Sequence, residues 1–153
     1  MISNVMLDDL DLEFLEIDKQ GCMRILAAAS GHVGRIAVGG PGSSPVIRPV
    51  NYAFDEGTES VVFRSAEGSK LREGLGSGRA TFEIDGVDPV ERTGWSVIVV
   101  GDAEEVTDQA EIDPLEGFEL EPWAPGVRTH WLRLRATSVS GRRVVRISDA
   151  MIG

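Results

Sequence analysis

Pro45-Val46-Ile47-Arg48-Pro49-Val50-Asn51-Tyr52-Ala53-Phe54, followed by Asp55-Glu56-Gly57 and then Ser60-Val61-Val62-Phe63-Arg64-Ser65, is the stretch that decides the fold. Two β-rich runs flank a turn built from acids and glycine, which is the pattern of an antiparallel hairpin. Side chains alternate along a strand, so Val46, Arg48, Val50, Tyr52 and Phe54 share one face. Pro49 stands in mid-run with no N–H to give to a ladder, so this strand is expected at an edge or bulged there. Backbone groups left exposed beside it suit a flat ligand.

Outward from the hairpin, Gly34–Val38 reads as a short apolar strand and residues 39–44, rich in glycine and serine, as a loop. Upstream, Asp18 is a candidate N-cap for a helix in which Cys22, Ile25, Leu26 and Ala29 fall at i, i+3, i+4 and i+7. Ser30-Gly31 ends it. Residues 1–17 read as an adapter whose apolar positions need a surface to cover. Downstream, Ser69–Leu75 is expected as a short helix, Ala80–Asp85 and Gly94–Val106 as strands, and the acidic stretch to Glu121 as helical. Residues 122–126 are a loop, and Thr129–Arg135 and Arg142–Ile147 are expected as two closing strands. Six or seven strands, mostly in hairpins, with few helices, predict a mainly β fold closed as an antiparallel barrel. No repeat or long linker divides residues 1–153, which are read as one domain.

Composition narrows the function. The 153 residues carry 25 acids against 15 bases, a formal net charge of −10, with 42% hydrophobic and 6% aromatic residues. A duplex-binding protein must neutralise phosphates, so nucleic acid is not expected as a partner. No apolar run reaches the roughly 18 residues of a membrane span, and the acidic N-terminus does not read as a signal peptide. The single cysteine, Cys22, cannot form an internal disulfide and fits a reducing, cytoplasmic compartment. Its place on the helical stripe makes it a small buried hydrophobe.

Several chemistries find no motif: there is no P-loop lysine, no complete dinucleotide fingerprint and no Gly-x-Ser-x-Gly elbow. Two histidines, His32 and His130, and one cysteine do not make a protein-built zinc site, so no metal is expected. One constellation stands out. Phe63-Arg64-Ser65-Ala66-Glu67-Gly68-Ser69-Lys70 runs from strand through loop to an expected helix start. Ser69 offers a hydroxyl and Lys70 a charge where unpaired amides already favour an anion. With Arg48 and Arg64 nearby, the cations suit a phosphate. A capped helix with surface cations gives the same pattern without a ligand.

These segments together, Gly34–Val38, Pro45–Tyr52 and Val62–Leu71, resemble the pyridoxamine 5′-phosphate oxidase-like family of FMN-binding split β-barrels of Greek-key type. Ala80–Asp85, Gly94–Gly101, Pro122–Gly126, Trp131–Leu134 and Ser140–Arg143 extend the resemblance, most of all to the short actinobacterial members grouped with nitroimidazole-resistance proteins. The resemblance implies that Arg48, Pro49 and Val50 contact the flavin phosphate and ring. It also implies that Arg64 and Ser65 lie over the ribityl chain and ring, and that Ser69 and Lys70 grip the phosphate. Trp95, Ser96 and Arg142 would reach in from the other subunit of a homodimer, with Glu83 either near the site or a paired strand carboxylate. The chain lacks the C-terminal arginine–histidine pair with which vitamin-B6 oxidases hold substrate phosphate.

The expectation is therefore an FMN-dependent oxidoreductase, not a genuine pyridoxamine 5′-phosphate oxidase, that turns over a small aromatic or nitro-aromatic molecule. NADH or NADPH is the candidate electron donor. Relatives of similar size also handle deazaflavin and haem, so a non-catalytic flavin, deazaflavin or haem binding or sensing module is the alternative.

Overall fold

The computed structural model describes residues 11–39, 42, 44–65, 78–120 and 130–147. Seven strands and two helices follow in the order β1 (Leu12–Ile17), α1 (Lys19–Ala28), β2 (Val33–Val38), β3 (Val46–Asp55), β4 (Ser60–Ser65), β5 (Arg79–Asp88), β6 (Thr93–Val106), α2 (Gln109–Glu116) and β7 (His130–Arg146). The sheet runs β1-β7-β4-β3-β2-β5-β6, and β6 pairs back onto β7. Six antiparallel strands thus close a barrel, with β1 lying outside the ring on the C-terminal half of β7. This is the mainly β split barrel expected from the sequence.

The alternation seen in the sequence sorts side chains between inside and outside. Val38, Tyr52, Phe54, Val61, Phe63, Phe82, Ile84, Val97, Val99, Leu132 and Leu134 fill the interior. Helix α1 covers one mouth of the barrel with Cys22 and Leu26, both fully buried. Its Asp18 cap accepts from the Gly21 amide at 2.7 Å, and the Tyr52 hydroxyl donates to the Leu26 carbonyl at 2.8 Å. Gly141 makes this seat possible, since a Cβ there would lie 2.6 Å from Cys22 Sγ. Outside the barrel, α2 packs Leu115 on Ala53, Val62, Val106 and Trp131.

Three expectations change. Thr129–Arg135 and Arg142–Ile147 are not two strands but parts of one 17-residue strand, β7. The residues between them pair with Val97–Gly101 of β6, and the register shift at Val100/Gly101 leaves Thr137 as the one extra residue, whose hydroxyl donates to the Val100 carbonyl. The adapter contains a strand: Leu12–Ile17 pairs with Ile17 opposite Gly141 and Leu12 opposite Arg146. The β5–β6 hairpin extends to Asp88, whose carboxylate accepts from the Val90 and Glu91 amides of the turn. The helix expected at Ser69–Leu75 and the loop at 122–126 lie outside the described residues. None of the described helices is long and apolar enough to cross a membrane.

Candidate functional site

The expected site residues fall into two groups, and strand register explains why. The first group lies where β3 and β4 part. Their ladder runs from Asp55–Ser60 to Tyr52–Phe63, whereas β3 pairs with β2 from Val46 to Asn51. Among the described residues, β3 therefore has a partner on one side only over Val46–Asn51. That stretch holds Arg48, Pro49 and Val50, so Pro49 sits on a free edge, and the β2–β3 register passes it without a bulge. The exposed Arg48 guanidinium donates to the carbonyl of its neighbour Ile47 at 3.0 Å and has no carboxylate partner among the described residues.

Arg64 and Ser65 close β4 on the other arm of the fork. Ser65 is buried and lies opposite His130 of β7. Arg64 shares its face with Val62 and lies with its guanidinium carbon 5.3 Å from the Trp131 ring centroid. Its Nε is buried without a hydrogen-bond partner, a costly state for a charged donor unless a ligand satisfies it. Ser69 and Lys70, expected next along the chain, lie outside the described residues.

The second group lies at the far end of the sheet. Trp95 belongs to the inner face with Val97 and Val99, whereas Ser96 belongs to the outer face. Directly opposite residues share a face, so Arg143 stands beside Trp95, and Arg142 beside Ser96 and Glu16. Arg142, the expected C-terminal residue, and Trp95 are thus on opposite faces. Arg143 is the residue that the sequence reading missed. Two adjacent arginines cannot be assigned to faces until the register is known. Trp95 was expected to need a second subunit to pack on, but its ring rests on Gly86 of its own chain, where a Cβ would lie 2.6 Å from the indole nitrogen.

Beside Trp95 opens a cavity of about 750 Å³ between α1, the β5–β6 hairpin and β7. Ile25, Ala29, His32, Gly86, Trp95 and Arg143 contribute to its wall, and none of Arg48, Pro49, Val50, Arg64 or Ser65 does. Arg48 reaches Val99 through the register Arg48–Ile36–Phe82–Val99, and Trp95 is four residues farther along β6. At ordinary strand spacings that separates the two groups by roughly 20 Å.

Charges on the outer face are mostly paired. Arg35 binds Glu83 at 2.8 Å and Asp85 at 3.1 Å, which makes Glu83 a paired strand carboxylate. Partial burial pushes the Glu83 carboxyl above its usual range, with Asp85 adding to the effect and Arg35 opposing it. His130 pairs with Glu105. Burial, and next to it Asp18, raises the Cys22 thiol, which suits an inert core residue.

A six-stranded antiparallel barrel with one strand outside the ring and a helix over its mouth defines a split β-barrel protein. The family model for pyridoxamine 5′-phosphate oxidase matches residues 18–143, and the chain belongs to that family. It is 32% identical over 138 residues to the uncharacterised protein Rv0080 of Mycobacterium tuberculosis, covering 87% of each chain. Among solved structures, a FAD-binding protein from Mycobacterium smegmatis matches with a TM-score of 0.69 and 31% identity, over 84% of this chain and 96% of that one. A FAD-binding protein from Mesorhizobium loti shares the fold, with a TM-score of 0.68 at 23% identity over 85% and 97%.

Proposed function

We propose that this chain is a flavin-dependent oxidoreductase acting on a small aromatic molecule, with the flavin held at the fork between β3 and β4. The observation that carries this reading is the meeting, at that fork, of a β3 edge with no second strand partner over Val46–Val50 among the described residues and a buried Arg64 Nε without a hydrogen-bond partner. In a chain of 25 acids, an Arg64 without a carboxylate partner among the described residues suits an anionic ligand. Arg48 would supply charge, Pro49 and Val50 the backbone edge, Arg64 and Ser65 the contacts over the ribityl chain and ring, and Ser69 and Lys70 the phosphate grip. Ser96 and Arg142 lie too far away in the same protomer and would come from a second copy, whereas Trp95 faces inward beside Gly86. The flavin supplies the electron transfer when bound, while the protein orients the ring and excludes water. FMN is the cofactor implied by the sequence resemblance. The FAD bound by the M. smegmatis relative makes FAD the competing nucleotide, and both carry the phosphate that this site would grip.

The test is reconstitution of the purified chain with FMN, FAD and riboflavin, followed by anaerobic NADH or NADPH. Binding of FMN or FAD, with bleaching that an added nitro-aromatic acceptor reverses, is the expected result. Failure to bind either nucleotide removes the reading, and a bound flavin that neither donor reduces leaves a binding module. Lys70→Ala should weaken FMN by about one to two decades, as loss of a charge-assisted bond implies, and leave riboflavin unchanged. Equal loss of both ligands would make Lys70 structural.

A further inference from the structure

We infer that the cavity between α1, the β5–β6 hairpin and β7 is a second ligand site, built for a planar aromatic carboxylate and apart from the fork. Its volume of about 750 Å³ falls in the range of small-molecule sites. Three features define the ligand. The half-buried Trp95 lies against Gly86, which has no side chain to displace it, so the indole is a fixed wall for a flat ring. Arg143 stands on the same face one strand away, and no carboxylate pairs with it among the described residues, although acids outnumber bases in this chain. Such a guanidinium accepts a carboxylate in two parallel hydrogen bonds. His32, exposed on the opposite wall, offers a second polar contact.

The remaining wall, including Ile25, Ala28 and Val145, is apolar and suits the ring. Asp88, the acid on the rim, has its Oδ1 occupied by the amides of its own turn. The fork residues are absent from the wall.

The experiment is calorimetric titration of the full chain with 4-nitrobenzoate and with its uncharged analogue 4-nitrobenzamide. Wild type should bind one nitrobenzoate per chain, with the amide at least tenfold weaker, as one charge-assisted contact implies. Arg143→Gln should abolish that preference, and Arg143→Lys should keep most of it. If Arg143→Gln fails to fold, the preference retained by Arg143→Lys, together with equal weakening of both ligands in Trp95→Leu, carries the test. No saturable binding at millimolar nitrobenzoate, or equal binding by wild type and Arg143→Gln, overturns the inference. Mutual exclusion of FMN and nitrobenzoate also overturns it, because the cavity would then be the flavin's own. Flavin binding without nitrobenzoate binding sinks this inference alone, and nitrobenzoate binding without flavin binding sinks the reading of the fork alone.

Discussion

Arg35 holds two carboxylates on the outer face of β2 and β5, with its Nη2 2.8 Å from Glu83 and 3.1 Å from Asp85. Glu83 is the more buried of the pair, and desolvation leaves its carboxyl above the ordinary value. A carboxyl raised on folding favours the protonated state in the native protein, so its stabilising effect is full below the unfolded value. That effect is lost as pH rises through the folded one. Glu83→Gln removes this penalty while Asp85 keeps Arg35 paired. The urea midpoint of Glu83→Gln should therefore match wild type near pH 4 and rise relative to it toward pH 7. A difference that shrinks as pH rises would mean that the Arg35 bond outweighs burial. Glu83 also shows where residue-scale reading stops. The sequence leaves it between a site residue and a strand partner, and only the register Arg35–Glu83 resolves the choice.

At the scale of elements, α2 is tied to the barrel by charge as well as by Leu115. Arg133, buried on β7, donates to Glu111 at 3.1 Å with Glu104 4.0 Å away, and the Trp131 indole donates to Glu116. A buried cation that loses its main partner is costly, whereas replacing the cation itself by an apolar chain is often neutral. Glu111→Ala should thus lower stability by about 1–3 kcal/mol in chemical denaturation, and Arg133→Met by less. The reverse order would show that the ion pair, rather than burial of an unpaired charge, sets the energetics. The acidic stretch, expected from the sequence as helical, therefore also ties its helix to the barrel. Strands with clean alternation, Val46–Asp55 and Ser60–Ser65, were legible almost to the residue. Strand β7 was not, because Ala136-Thr137-Ser138-Val139-Ser140-Gly141 has the composition of a loop and becomes strand only through the edge that β6 offers. The same limit applied to the site: residue types at the fork could be read from the chain, but the faces of Trp95, Arg142 and Arg143 depend on that pairing.

On the scale of the whole molecule, the two groups of expected cofactor residues lie roughly 20 Å apart in one protomer, at ordinary strand spacings. A second chain is the simplest way to bring them together, and a twofold axis does so twice with one interface. Strand β4 does not provide that interface, since it is covered inside by the core and outside by α2. The outer face of β3, β2, β5 and β6 does have free apolar surface. There Ile47 is 60% and Ile98 40% exposed, with Ala37, Thr81 and Val100 in register between the strands. Isoleucines exposed beside these small residues and the paired Arg35–Glu83 suit burial against a copy of themselves. Light scattering of the wild-type chain at micromolar concentration should give the mass of a dimer. Ile47→Asp combined with Ile98→Asp should give the mass of one chain and lose flavin, because each fork would lack the residues contributed by the other copy. Binding of 4-nitrobenzoate, whose cavity contains none of the fork residues, should survive in that monomer. A wild-type chain that scatters as a monomer, or a double variant that stays dimeric, would remove this interface and with it the reason for assigning Ser96 and Arg142 to a shared site.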